Sequence, residues 1–142
     1  MYTLEQLSMM TGLTTRTLRN YLKSGILCGS KDTGVWLFDE QQVQAFVGHP
    51  SAAPSIRTKQ QAIVYDFLAG QEQMENEMCV MLDRSVQKKA AGKMADFLCQ
   101  AAGQSSHIRF SYTWRAGKAH FILKGAEEEI HSILSEFYRQ NF

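Results

Sequence analysis

Thr11-Gly12-Leu13-Thr14-Thr15-Arg16-Thr17-Leu18-Arg19-Asn20-Tyr21 is the stretch that decides how the chain is read. Leu18, Tyr21 and Leu22 recur at three- and four-residue spacing and so share one side of a helix, while Thr15, Arg16, Arg19, Asn20 and Lys23 fall on the other. Gly12 suits a tight turn that needs positive φ, and Thr14 can cap the helix that follows. The stretch therefore reads as the turn and second helix of a helix-turn-helix, with one face to pack and one to bind. In such a motif the second helix enters the major groove by its N-terminal residues, which would place Thr14, Thr15 and Arg16 nearest the bases or phosphates. An ordinary helical hairpin with a solvated basic face is the alternative on this segment alone.

The flanking sequence fits the same unit. Thr3 and Gln6 form a capping box ahead of Leu4, Leu7 and Met10, which predicts a short first helix over 4–10. Gly25 stops the second helix, and Ile26-Leu27-Cys28 and Val35-Trp36-Leu37-Phe38 read as the two strands of a small wing around the turn-rich run 29–34. Asp39, with Gln42 three residues on, caps a third helix that turns Val43, Phe46 and Val47 inward. Pro50 and Pro54, the only 2 prolines, then fall in a small-residue segment without periodicity. This divides the chain into a domain at 1–48, a linker at 49–57 and a second domain at 58–142.

Composition bounds the function. With 142 residues, 44% of them hydrophobic, the chain can pack one good domain or two small ones. Its 15 basic against 14 acidic residues leave a formal charge of +1, so attraction to nucleic acid has to come from a local patch. Arg16, Arg19, Lys23, Lys31 and Arg57 supply one in the first part, where Glu5, Asp32, Asp39 and Glu40 lie mostly elsewhere. At a salt sensitivity of roughly 0.9 per phosphate neutralised, so few cations bind weakly as one copy, and specific binding calls for two copies or a partner. Cys28, Cys79 and Cys99 are odd in number and widely spaced, which argues against a disulfide framework and a zinc site and for a cytoplasmic home. No signal peptide or membrane span is visible. The motifs assemble no catalytic triad, metal cluster, phosphate loop or carboxylate pair, so neither an enzyme nor a cofactor is expected.

Over residues 2–47 the order of parts resembles the DNA-binding domain of the MerR family of bacterial transcription regulators. The resemblance rests on Tyr2-Thr3-Leu4 with Leu7, Thr11-Gly12-Leu13 at the turn, and Thr17-Leu18-Arg19 with Tyr21 in the second helix. It continues in Gly25-Ile26-Leu27 and in Gly34 leading through Leu37-Phe38 to Asp39-Glu40. It implies that Arg16 and Arg19 lie on the DNA-facing helix and that Tyr21 supports that helix or touches the backbone. The family pattern has a tyrosine where this chain has Asn20 and a wing arginine where it has Trp36. An indole can still pack on sugar or on its own core, and an asparagine can read an adenine or simply be solvated. Members usually continue into a long dimerising helix, whereas here the prolines follow and no heptads are sustained. The module also resembles excisionase-type DNA-bending proteins.

Beyond residue 58 the pattern is mixed. Residues 62–68 fit a helix or a buried strand, with helix favoured, and Glu77 to Asp83 suits a central strand. Ser85 then starts a helix burying Ala90, Met94, Phe97, Leu98 and Ala101. Ile108, Phe110, Tyr112 and Trp114 alternate strictly, as do Ala119, Phe121 and Leu123 beyond Ala116-Gly117. A two-residue loop there pairs Trp114 with Ala119, Tyr112 with Phe121 and Phe110 with Leu123, so the large apolar groups share one sheet face. The other face, with Arg109, Ser111, Thr113, His120, Ile122 and Lys124, is expected to be solvated, with a site for a partner or small ligand as the alternative. Glu127 to Glu129 open a last helix with a stripe of Ile130, Ile133, Leu134, Phe137 and Tyr138.

The expected fold is α+β: an N-terminal winged helix-turn-helix, then a small antiparallel sheet domain with helices packed on one face. The expected function is a sequence-specific regulator that binds double-stranded DNA through Thr14, Thr15, Arg16, Thr17, Arg19, Asn20, Tyr21 and Lys23, with Lys31 and Trp36 of the wing. The second domain would form a homodimer or take a small-molecule or protein effector. The alternatives are an excisionase-like architectural protein and an adaptor whose winged helix binds protein.

Overall fold

Local capping chemistry sets the first helices. In the computed structural model, which describes residues 1–70 and 75–142, the Thr3 hydroxyl accepts from the Gln6 amide and the Gln6 side chain from the Thr3 amide, starting α1 (Leu4–Thr11). Thr14 caps α2 (Thr15–Ser24) by accepting from the Thr17 amide. Between them Gly12 stands at φ +77°, and a Cβ there would also come within 2.7 Å of the Lys59 Cβ. Two separate constraints thus demand glycine. The Thr11 hydroxyl bonds back to the Leu7 carbonyl and accepts from the Leu13 amide, which fixes the turn.

The wing differs from its expected start. Its strands are β2 (Ser30–Asp32) and β3 (Val35–Phe38), joined through Thr33 and Gly34, both at positive φ, with β1 (Tyr2–Thr3) on the other side of β3. Ile26 and Leu27 are not strand residues. Their amides donate to the Tyr21 carbonyl and close α2, and Leu27 is buried. Beside them Gly29 has no spare room, since a Cβ would stand 2.5 Å from the ring of the fully buried Phe38 and 2.9 Å from the Leu37 carbonyl oxygen. Gly29→Ala is expected to cost about 1–3 kcal/mol of stability by overpacking, read as a lower denaturant midpoint at unchanged slope.

Asp39 and Gln42 form a second capping box ahead of α3 (Glu40–Val47). A long helix, α4 (Ala53–Ala69), follows and includes residues 62–68; Pro54 sits in its first turn, where the missing amide costs nothing. The second sheet holds β4 (Glu77–Ser85), β5 (Arg109–Arg115) and β6 (Lys118–Ala126), all antiparallel in the order β4-β6-β5. The hairpin register is the expected one, with Trp114 opposite Ala119, Tyr112 opposite Phe121 and Phe110 opposite Leu123.

β4, expected at the centre, is an edge strand; β6 is central because it pairs with both of the others. Ser85 ends β4, and Gln87 stands at the cap of α5 (Lys88–Ala102). The helix is therefore turned slightly from expectation: Ala91, Met94, Ala95, Leu98, Cys99 and Ala102 are buried, while Ala90, Phe97 and Ala101 are half-buried. In α6 (Glu127–Arg139) Ile130 and Phe137 point inward, but Tyr138 is exposed.

α5 and α6 cover the aromatic face. The other face is not solvated as expected: Ser111, Ile122 and Lys124 are buried, and α4 lies across it with Asp66 paired to Arg109. One hydrophobic cluster runs from Leu7, Met10 and Phe46 to Leu98, Tyr112 and Phe121. The Tyr2 hydroxyl donates to the Gly92 carbonyl, and the buried Gln44 amide nitrogen donates to the Tyr112 hydroxyl. Among the described residues no helix is long and apolar enough to cross a membrane.

Candidate nucleic-acid interface

α2 is held from below and left open above. Leu18 is fully buried beneath it. Tyr21 is turned inward, edge-on to Phe46 with ring centroids 5.3 Å apart, and its hydroxyl donates to the Ser51 carbonyl at 3.4 Å. Tyr21 thus ties α2 to α3 and to the turn before α4. Arg16, Arg19, Asn20 and Lys23 are exposed. Their spacing of three, four and seven residues lines them along one face about 10 Å long. α2 contains no acidic residue to neutralise them.

The N-terminal end is arranged differently. Thr14 is exposed and occupied in capping, its hydroxyl also donating to that of Thr17 at 3.0 Å, while Thr15 and Thr17 are half-buried. The first amides of the helix lie here, and their partial positive charge suits a phosphate.

On the wing Lys31 is exposed and Trp36 half-buried, and the two are cross-strand partners. The Lys31 ammonium sits 5.6 Å from the indole centroid, and the indole stacks on Phe38 at 6.5 Å. Trp36 therefore anchors Lys31 to the wing from below. The wing keeps a cation even where the family pattern's arginine is missing.

Capped turn, acid-free helix and wing together occupy one segment. Residues 2–47 match the family of MerR HTH regulatory proteins. The segment is a MerR-type winged helix-turn-helix, and such a domain points to DNA binding and transcription regulation. No curated protein and no solved structure matches the chain.

Sequence reading missed how this MerR-type unit is buttressed. Lys59 of α4 packs on the Gly12 turn, and Gln44 of α3 bonds to Tyr112 of β5. It also missed a groove of about 540 Å³ where the end of α3 and the start of α4 meet the far face of the sheet. Val47, Pro50, Pro54, Arg57, Arg115 and His120 are among its walls. Pro54 was the available signal, since proline is favoured at a helix start as well as in loops. Among the described residues no cluster of His, Cys, Asp and Glu could hold a metal ion. Burial pushes the Cys99 thiol up to about 12 and raises that of Cys79, so neither has the low pKa of a reactive thiolate.

Proposed function

We propose that this protein is a sequence-specific DNA-binding transcription regulator of MerR-like type. α2 reads the major groove with Thr14, Thr15, Arg16, Thr17, Arg19 and Asn20, Lys23 and Lys31 meet flanking phosphates, and Trp36 steadies the wing. Tyr21 acts from behind, as a support. The observation that carries this reading is the exposed, acid-free row Arg16, Arg19, Asn20 and Lys23 on a helix fixed at both its cap and its buried face. So few cations per chain bind duplex DNA weakly, and two copies on one site supply the rest. The residues from 58 onward form the dimerising and signal-receiving part. The groove beside α3 and α4 is where a small-molecule or protein effector acts on the helix-turn-helix, because α3, which gives Val47 to its wall, also holds Tyr21 of α2 through Phe46.

Selection of bound sequences from random duplex DNA tests this directly. The expected product is an inverted repeat whose half-sites are centred about 10 base pairs or a multiple apart. Failure to enrich any sequence removes the regulator reading.

A further inference from the structure

The two edges of the second sheet are treated differently. The outer edge of β5 is closed by the helix-turn-helix, with α1 packed along it and Gln44 of α3 bonded to Tyr112. β4 pairs with β6 on one side, and among the described residues no strand meets its other side. Free edges are normally protected by proline, lysine, a bulge or short length. β4 is long and regular: it runs nine residues, Glu77–Ser85, without proline, glycine or lysine, its charges Glu77, Asp83 and Arg84 leave Met78 to Leu82 uncharged, and its register with β6 is unbroken from Glu77 opposite Ala126 to Ser85 opposite Lys118. Exposed apolar groups flank it on both faces. Met81 is 66% exposed on one, and on the other Tyr138 of α6 is 61% exposed beside Arg84, whose guanidinium carbon lies 5.5 Å from the tyrosine ring.

We infer that β4 is the dimer interface, pairing antiparallel with β4 of a second copy about a two-fold axis through Met81 and joining the two sheets into one of six strands. The sequence is self-complementary in that register. Matching faces require residues of equal parity to oppose one another. Centring on Met81 sets Val80 against Leu82, Cys79 against Asp83, Met78 against Arg84 and Glu77 against Ser85. Apolar groups meet at the middle, and no like charges are opposed. Centring on Val80 sets Glu77 against Asp83 twice, which repels, and centring on Leu82 sets Arg84 against Val80 and Asp83 against Met81. This gives a surface to the two-copy reading above, on which its biological sense rests, yet it is tested without DNA, so either can fail alone.

Residue 81 would oppose itself, and that supplies the test. In sedimentation velocity on the full chain the wild type is expected to dimerise, while Met81→Lys and Met81→Glu each remain monomeric, with dimer affinity lowered about tenfold or more by like charges at the axis. An equimolar mixture of the two variants is expected to pair. Because Met81 is largely exposed, circular dichroism of each variant should match the wild type. A wild type still monomeric at about 100 µM, a Met81→Lys chain that dimerises like the wild type, or a mixture that does not pair overturns the inference.

Discussion

Arg16→Ala combined with Arg19→Ala is expected to weaken binding to the selected duplex about a hundredfold or more per protomer, since each arginine contact to a base edge contributes about 1–3 kcal/mol. Both side chains are exposed and take part in none of the ion pairs among the described residues, so their removal should leave folding intact. Fluorescence anisotropy at several salt concentrations separates their roles. Each lost phosphate contact lowers the salt slope by about 0.9, whereas a lost base contact weakens the selected site more than random DNA. Lys23→Ala, at the far end of the row, should weaken both sites alike. If the double variant binds with wild-type affinity and slope, α2 is not the reading helix.

Why that row could be read from sequence while its support could not is a matter of range. The capping boxes at Thr3 and Asp39, the turn at Gly12 and the hairpin at Ala116-Gly117 are decided by residues within a few positions of one another, and the structure reproduces them. The wing starts later than the pattern suggests because Ile26 and Leu27, though strand-like in side chain, use their amides to close α2. Met78-Cys79-Val80-Met81-Leu82 is apolar on both faces, the usual mark of a strand buried on both sides, yet β4 lies at an edge. Its position depends instead on which strand β6 accepts as a second partner, a long-range choice no local pattern encodes. The same holds for the burial of Ser111, Ile122 and Lys124, which requires knowing that α4 folds back across the sheet. At the candidate site, Arg16, Arg19 and Lys23 were legible as helix surface. The inward turn of Tyr21 and the seating of Lys31 on Trp36 depend on partners elsewhere in the fold.

Tyr112→Ala is expected to have the largest effect on stability. Tyr112 is 1% exposed and its ring stacks on Phe121 at 5.2 Å, so truncation removes a buried aromatic and leaves a cavity, a loss of about 3–5 kcal/mol. Tyr112→Phe keeps the ring and isolates the polar contribution. Burial pushes the Tyr112 phenol up to about 12, so near neutral pH it stays protonated and its oxygen accepts from Gln44 without carrying charge. Gln44 is itself buried, and among the described residues its carbonyl oxygen has no partner, so losing the phenol strands the whole amide at a cost of about 1–3 kcal/mol. Adding Gln44→Leu to Tyr112→Phe removes the orphaned group and should recover part of that loss, measured as a double-mutant cycle in denaturant unfolding. Two residues beyond Gln44, Phe46 holds the Tyr21 ring under α2, so this bond joins the sheet to the helix with the exposed cations. Tyr112→Phe should therefore also weaken DNA binding, though far less than loss of the arginines, and should do so without changing the salt slope, since no phosphate contact is removed. Unchanged stability in Tyr112→Phe would mean that packing alone, and not this hydrogen bond, seats α3 against the sheet.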